Sequence, residues 1–288
     1  MIIFETLVTG VLIGGLYALY ALGLSILFGV MRLVNLAHGD FIVMAAYMGL
    51  VLVHGFGLSP MADVIFVPII MAAIGYAAQR TLLNYTLQKD PLVSVLVTFG
   101  LSIVIQNVLL LHFSADTQKL SIGGFEVASV GVFGSTIGLF PILILVLSIV
   151  LIALLEFALT YTRSGRLIRA ASDDVEVLSL MGIDPGKVRA YAGAVAFFVV
   201  GIAGVLMSIR TNFSPTDGPA RLIFAFEAII IGGLGSLWGT LAGGIILGIA
   251  QTTGSAVSPS FQILAGHIVF LLVLVLRPQG LLPKIEHR

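Results

Sequence analysis

Residues 223–249 read IFAFEAIIIGGLGSLWGTLAGGIILGI, a stretch too long for the roughly 20 apolar residues that one membrane-spanning helix needs. Gly232, Gly233, Gly235, Gly239, Gly243, Gly244 and Gly248 crowd into it, with Ser236, Trp238 and Thr240 among them. Gly235, Gly239 and Gly243 recur at the spacing that lets helix backbones approach closely, so tight helix packing is one reading. A broken helix is the other. Irregular backbone survives at membrane depth only when buried in protein or lining a cavity, because hydrocarbon offers nothing to its N–H and C=O groups. A second glycine-interrupted stretch, Gly29 to Gly49, stands near the other end of the chain. Paired interruptions in two halves are how an internal transporter repeat looks from sequence, although no residue-by-residue repeat is visible.

The remaining chain is equally apolar. It is 59% hydrophobic and 10% charged over 288 residues, with a mean hydropathy of +1.14, where soluble domains carry about 25% charged residues. Further apolar segments run over about Leu7–Val30, Leu36–Val53, Met61–Ala78, Leu92–Leu111, Ile137–Leu159, Arg189–Ile209 and Phe261–Leu276. This predicts an all-α, polytopic membrane helical bundle of about seven to nine passes. Residues 1–288 form a single domain in this reading, with broken or re-entrant Gly-rich segments. No Lys or Arg precedes the first run, which is longer than a signal core, so it is expected to remain as a helix.

Charge gives the sidedness. Arg32 follows the first run, which puts the N-terminus and Glu5 outside and Arg32 in the cytoplasm. Arg80 and Lys89 fall on the cytoplasmic side, and Asp90–Pro91 is a helix start. Residues 114–135 hold Lys119 against Asp116 and Glu126, with Gly123–Gly124, and read as an outside loop with a short hairpin. Residues 160–188 carry the densest basic stretch, Arg163, Arg166, Arg169 and Lys187, and belong inside. Residues 212–221 then fall outside, and the tail with Arg277, Lys284 and Arg288 falls inside. An odd number of crossings must therefore separate Arg210 from Arg277, so residues 223–249 form either a re-entrant hairpin or two short spans.

Several functions are excluded. The formal net charge is zero and the basic residues are spread over separate loops, which leaves no footprint for nucleic acid. There is no cysteine, and the five histidines show no metal-ligand spacing. Gly186–Lys187 lacks the upstream glycine of a Walker loop, and Gly233, Gly235 and Gly239 miss the dinucleotide spacing. No cofactor is expected in this chain, and active transport would draw its energy from another one. An ion-coupled transporter acting alone needs ionisable groups within its helices. The candidates are His38, Asp40, Glu227 and His267, with Gln106 and Asn107 as polar company. Most lie near expected helix ends, where anchoring or capping accounts for them.

The loop beginning at Thr162, TRSGRLIRAASDDVEVLSLMGIDPGKVR, is too long for a turn and too polar for a span. Ser172, Asp173 and Asp174 supply an N-cap and first-turn negative charge; Val175, Val177, Leu178, Leu180 and Met181 form an apolar face; Gly182 ends the helix. Such a short amphipathic helix could lie on lipid. Asp173, Asp174 and Glu176 are repelled by an anionic leaflet, which favours docking into a groove of a soluble partner.

On these residues the loop resembles the cytoplasmic coupling loop of ABC importer permeases. Residues 15–41, GLYALYALGLSILFGVMRLVNLAHGDF, together with FEAIIIGGLGSLWGTLAGGIILG at 226–248 and LRPQGL at 276–281, resemble the Liv-type permeases for branched-chain amino acids. Asn35, Ala37, His38 and Gly39 match that family's asparagine-x-alanine-histidine-glycine element. Leu178 departs from the pattern, where a small residue is expected. The resemblance implies a bacterial inner-membrane importer of two related permeases, two ATPases that bind ATP and Mg, and a periplasmic solute-binding protein. This chain would be one permease with no catalytic residue. Arg169, Ala170, Asp173, Asp174, Glu176, Leu180 and Gly182 would couple it to the ATPase, and Asn35, His38, Gly39, Gly232, Gly233, Gly235, Ser236 and Gly239 are candidates to line the solute path. Urea and short-chain amide importers use similar permeases, and sugar permeases are more distant. An ion-coupled transporter or passive channel would instead move solute without partners.

Overall fold

The computed structural model describes residues 2–87, 91–132, 135–173 and 175–283. The apolar runs fold as helices: α1 (Ile2–Met31), α2 (His38–Phe56), α3 (Pro60–Ala78), which continues through a π-helical turn at Gln79–Leu83 into α4 (Asn84–Thr86), α5 (Pro91–Phe113) and α6 (Leu139–Tyr161). The basic loop forms α7 (Arg163–Asp173) and α8 (Val175–Leu180); α9 (Pro185–Arg210), α10 (Gly218–Gly232), α11 (Leu237–Val257) and α12 (Phe261–Leu276) follow. Among the described residues, seven helices are long and apolar enough to cross a membrane, and α12 is a shorter apolar helix.

Residues 223–249 are split rather than re-entrant. α10 runs to Gly232, the chain turns over residues 233–236, and α11 returns. With α12 this makes three helices between Arg210 and Arg277, an odd number, of which α11 alone is long enough by itself to span a membrane. The turn requires glycine, since Gly233 and Gly235 have φ of 114° and 76°, conformations that side chains disfavour. The carbonyls that α10 leaves unpaired at its end are capped by the C-terminal segment. Leu281 N–H donates to the Ile231 carbonyl at 2.9 Å and Leu282 N–H to that of Gly232 at 2.8 Å.

The first interruption has a different form. After α1, residues 32–37 turn back into the protein, and the His38 ring meets the Tyr20 carbonyl at 2.8 Å. Tyr20 lies eleven residues before the end of α1, about 16 Å along the helix, so α2 begins well below the surface. α10 begins beside it, with Gly39 packed directly on Gly218. Two helix N-termini thus meet inside the bundle. α10 is about 22 Å long at 1.5 Å per residue, shorter than the ~30 Å hydrocarbon core.

Small residues set the packing. Gly239 and Gly243 of α11 press on the backbone of α10 at Gly232 and Ala228, while Gly244 and Gly248 press on α1 at Gly14 and Gly10. α11 is therefore wedged between two helices on two glycine faces. On α9, Gly193 and Gly201 receive Gln79 and Pro68, which lets the proline-containing α3 lie close. Interhelical hydrogen bonds add to this: Tyr17 donates to Gln251 at 2.5 Å, Gln106 to Asp40 at 2.9 Å, and His267 of α12 pairs with Glu227 of α10. Glu227 and His267 thus sit within helices rather than at their ends, and Asn107 is bonded to its own helix at Ile103.

The two ends of the bundle differ. One gathers Arg32, Arg80, the 162–188 region, the Gly233 turn and residues 277–283, tied by Asn84 donating to the Gly186 carbonyl at 3.0 Å. At the other, Gln118 pairs with Phe213, and a two-stranded hairpin joins β1 (Ser129–Val132) to β2 (Ser135–Gly138). The hairpin begins inside the expected 114–135 loop and runs past its end, because β2 continues directly into α6. Glu126 holds the preceding turn, accepting from the Ser121 hydroxyl at 2.5 Å, and that bond keeps its carboxyl below the usual range.

Candidate functional site

The basic loop is two helices, not the one short helix expected. Ser172 is not an N-cap: it lies in the last turn of α7 and donates to the Gly29 carbonyl of α1 at 2.7 Å. Asp173 is the last residue of α7, Glu176 belongs to α8, and Asp174 lies outside the described residues. α7 was hidden by its polar composition. Its narrow apolar face, Ile168 and Ala171, is buried with Leu178, Val188 and Ala192 in a small satellite core. Arg166 and Arg169 donate to the Tyr161 and Thr160 carbonyls at 3.0 and 2.9 Å, capping the end of α6. Ala170 is half-buried against the same satellite core.

Leu178, the departure from the family pattern, is 1% exposed and belongs to this satellite core. The outward residues are Leu180, 87% exposed, and Met181, 67% exposed. The helix stops in a Schellman turn: Gly182 has φ of 73°, its N–H reaches the Ser179 carbonyl at 3.0 Å, and Ile183 N–H reaches that of Leu178 at 3.1 Å. Asp184 then caps α9, accepting from Gly186 N–H at 2.8 Å, and pairs with Arg80 at 3.0 Å. The Arg80 guanidinium is the main reason that the Asp184 carboxyl is held below the usual carboxylate range. Beside it a groove of about 460 Å³, lined by Arg80, Asn84, Tyr85, Ser179 and Arg189, lies next to the exposed Leu180. Two apolar side chains over a charged groove suit a docking knob.

The remaining candidates fall in two places. Asn35, His38 and Gly39 are buried where α2 and α10 begin; Asn35 accepts from Ala37 N–H at 3.0 Å, while its amide nitrogen has no partner among the described residues. Gly232, Gly233, Gly235, Ser236 and Gly239 lie at the far end of α10. There Gly232 packs on Gly239, and Gly233 on Leu282 and Pro283. Gly235 approaches Gly29, and Gly235 and Ser236 border a cleft of about 220 Å³. α10 connects the two places. Sequence reasoning missed Glu156, which lines that cleft, because a lone acid late in an apolar run gives no periodic signal.

The described residues form a multi-pass helical bundle with two broken segments inside and an exposed apolar pair, Leu180 and Met181, at its basic end, an architecture that suits a membrane permease. Residues 6–276 match the family described as branched-chain amino acid transport system / permease component, and the chain belongs to that family. It is 28% identical to the high-affinity branched-chain amino acid transport system permease protein BraD of Pseudomonas aeruginosa, covering 98% of this chain and 97% of that protein. Its identity to the permease protein LivH of Salmonella typhimurium is also 28%, over 98% of this chain and 96% of that one. A solved structure described as PsaBC from Streptococcus pneumoniae in complex with Fab covers 96% of this chain and 92% of its own. Its TM-score is 0.50 at 13% identity, a likeness of fold alone.

Proposed function

We propose that this chain is one permease subunit of a binding-protein-dependent ABC importer for branched-chain or related amino acids, working in a bacterial inner membrane. It would pair with a second permease, receive solute from a periplasmic binding protein and be driven by two ATPase subunits that hold ATP and Mg. The observation that carries this reading is the pair Leu180 and Met181, exposed at the end of α8 beside the Arg80–Asp184 groove. An apolar knob over a charged rim is the surface that a soluble partner would take.

In this reading the basic end is cytoplasmic. Closure of the ATPases displaces α8, and the satellite core carries the motion to α7. From α7 it passes to α1 through Ser172 and Gly29, and to α6 through Arg169 and Thr160. α1 reaches the α10–α11 turn where Gly29 meets Gly235, so docking and the broken segment share one chain of contacts. Solute choice would rest largely with the binding protein.

Leu180→Asp tests the proposal. Placing an unpaired carboxylate in an apolar groove is costly, so co-purification of the ATPase and solute-stimulated ATP hydrolysis should fall tenfold or more. Membrane insertion should stay near normal, because Leu180 is almost fully exposed. Uptake by the wild-type chain with no ATPase bound would overturn the reading in favour of a transporter acting alone.

A further inference from the structure

At the basic end, α1, α6, α7 and the α10–α11 turn enclose the cleft of about 220 Å³. Sites for drug-sized ligands occupy roughly 300–1,000 Å³, so this one suits a smaller solute. Its walls carry one charge of each sign. Glu156, exposed late in α6, has no hydrogen bond or ion pair with any described residue. Arg169 commits one guanidinium nitrogen to the Thr160 carbonyl, which leaves other donors of its five over the cleft. Glu156 precedes Thr160 by one helical turn, about 5.4 Å, yet it forms no ion pair with Arg169. The Ser25 hydroxyl is buried close by with no partner among the described residues. Ile26, Leu159 and Trp238 supply apolar walls.

An acid without an ion pair among the described residues and a guanidinium with donors to spare, both on the walls of one cleft beside apolar side chains, match the two ends and the side chain of an α-amino acid. We infer that this cleft binds a free α-amino acid with an apolar side chain. The ammonium group donates to Glu156, the carboxylate accepts from Arg169, and the side chain lies against Ile26, Leu159 and Trp238. Identifying the ligand with the transported solute rests on the import reading above; the binding chemistry does not. Since the cleft opens beside the Gly233–Ser236 turn, an occupant would brace α1 and α7 against that turn. In the importer this makes the cleft a release-side site at which accumulated product slows further uptake.

Trp238 is the single tryptophan of the chain, so its fluorescence reports on the cleft in the purified full chain in detergent micelles, with no ATPase present. L-Leucine should change the emission saturably. Leucinamide, which lacks the carboxylate, and N-acetyl-leucine, which lacks the ammonium group, should each need about tenfold higher concentration or more, as expected for loss of a charge-assisted hydrogen bond. Glu156→Gln should weaken leucine by a similar factor and leave N-acetyl-leucine nearly unchanged. Absence of a saturable leucine signal, or equal half-saturation for leucine and both analogues, would overturn the proposal. The analogue series on the wild-type chain decides the matter even where the variant fails to insert. The outcome is independent of ATPase capture, so this inference and the import reading can fail separately.

Discussion

At the scale of single residues, glycine does most of the positioning. A methyl group at Gly243 would overlap the Ala228 carbonyl, and one at Gly239 would lie 2.5 Å from that of Gly232. Backbone cannot step aside as a flexible side chain can. Gly243→Ala should therefore push α11 from α10 and destabilise the protein by about 1–3 kcal/mol, the range for overpacking. Gly100 of α5 provides the comparison, because nothing lies within 4 Å of its added carbon; there alanine should be neutral or slightly stabilising through helix propensity. Thermal unfolding in detergent reads both variants. Equal melting temperatures for Gly243→Ala and wild type would remove the tight α10–α11 contact. The spacing of Gly235, Gly239 and Gly243 announced such a contact, whereas its counterpart at Gly10 and Gly14 was not recognised, because small residues in α1 do not name the helix they face.

Among elements, the least legible was α7. Its apolar stripe is narrow and its arginines read as loop, yet Ile168 and Ala171 bury against α9 while Arg166 and Arg169 cap α6. The C-terminal segment has a role that its sequence does not announce. Removing residues 278–288 should leave the α10 carbonyls of Ile231 and Gly232 without the N–H groups of Leu281 and Leu282. An orphaned buried acceptor costs about 1–3 kcal/mol. The truncated chain should still insert, with a lower melting temperature and faster proteolysis within the 233–236 turn. A turn as resistant as in the full chain would show that the clip contributes nothing.

For the whole molecule, the testable property is sidedness. Ser164 and Gln279 lie exposed at the basic end and Thr117 at the other. The chain has no cysteine, so single cysteines can be placed at each position. An impermeant thiol reagent added to intact cells should label Thr117→Cys and spare Ser164→Cys and Gln279→Cys. Labelling at 279 together with 117 would mean an even number of crossings after Arg210, and α10 would then not count as a pass.

Composition and charge alone determined the helical membrane class, the approximate spans, the alternation of loops and the need for an odd crossing count. These follow from the solvent, since lipid demands apolar helices and basic residues are in excess on one side. The resemblance to the family's motifs added the expectation, carried into the proposal above, that 160–188 docks a partner through Leu180 and Gly182. Whether residues 223–249 re-enter or split depended on distant partners: the Gly233–Ser236 turn stands because residues 281–282 cap α10 and Gly29 receives Gly235. The same holds for Leu178, an odd residue in its motif until Ile168, Ala171, Val188 and Ala192 enclose it. Glu156 and Arg169, thirteen positions apart, share a cleft because Arg169 folds back onto the Thr160 carbonyl. Local pattern records which solvent a residue prefers; contacts between helices far apart in sequence depend on shape and on which backbone groups remain unpaired, and these exist only in the packed bundle.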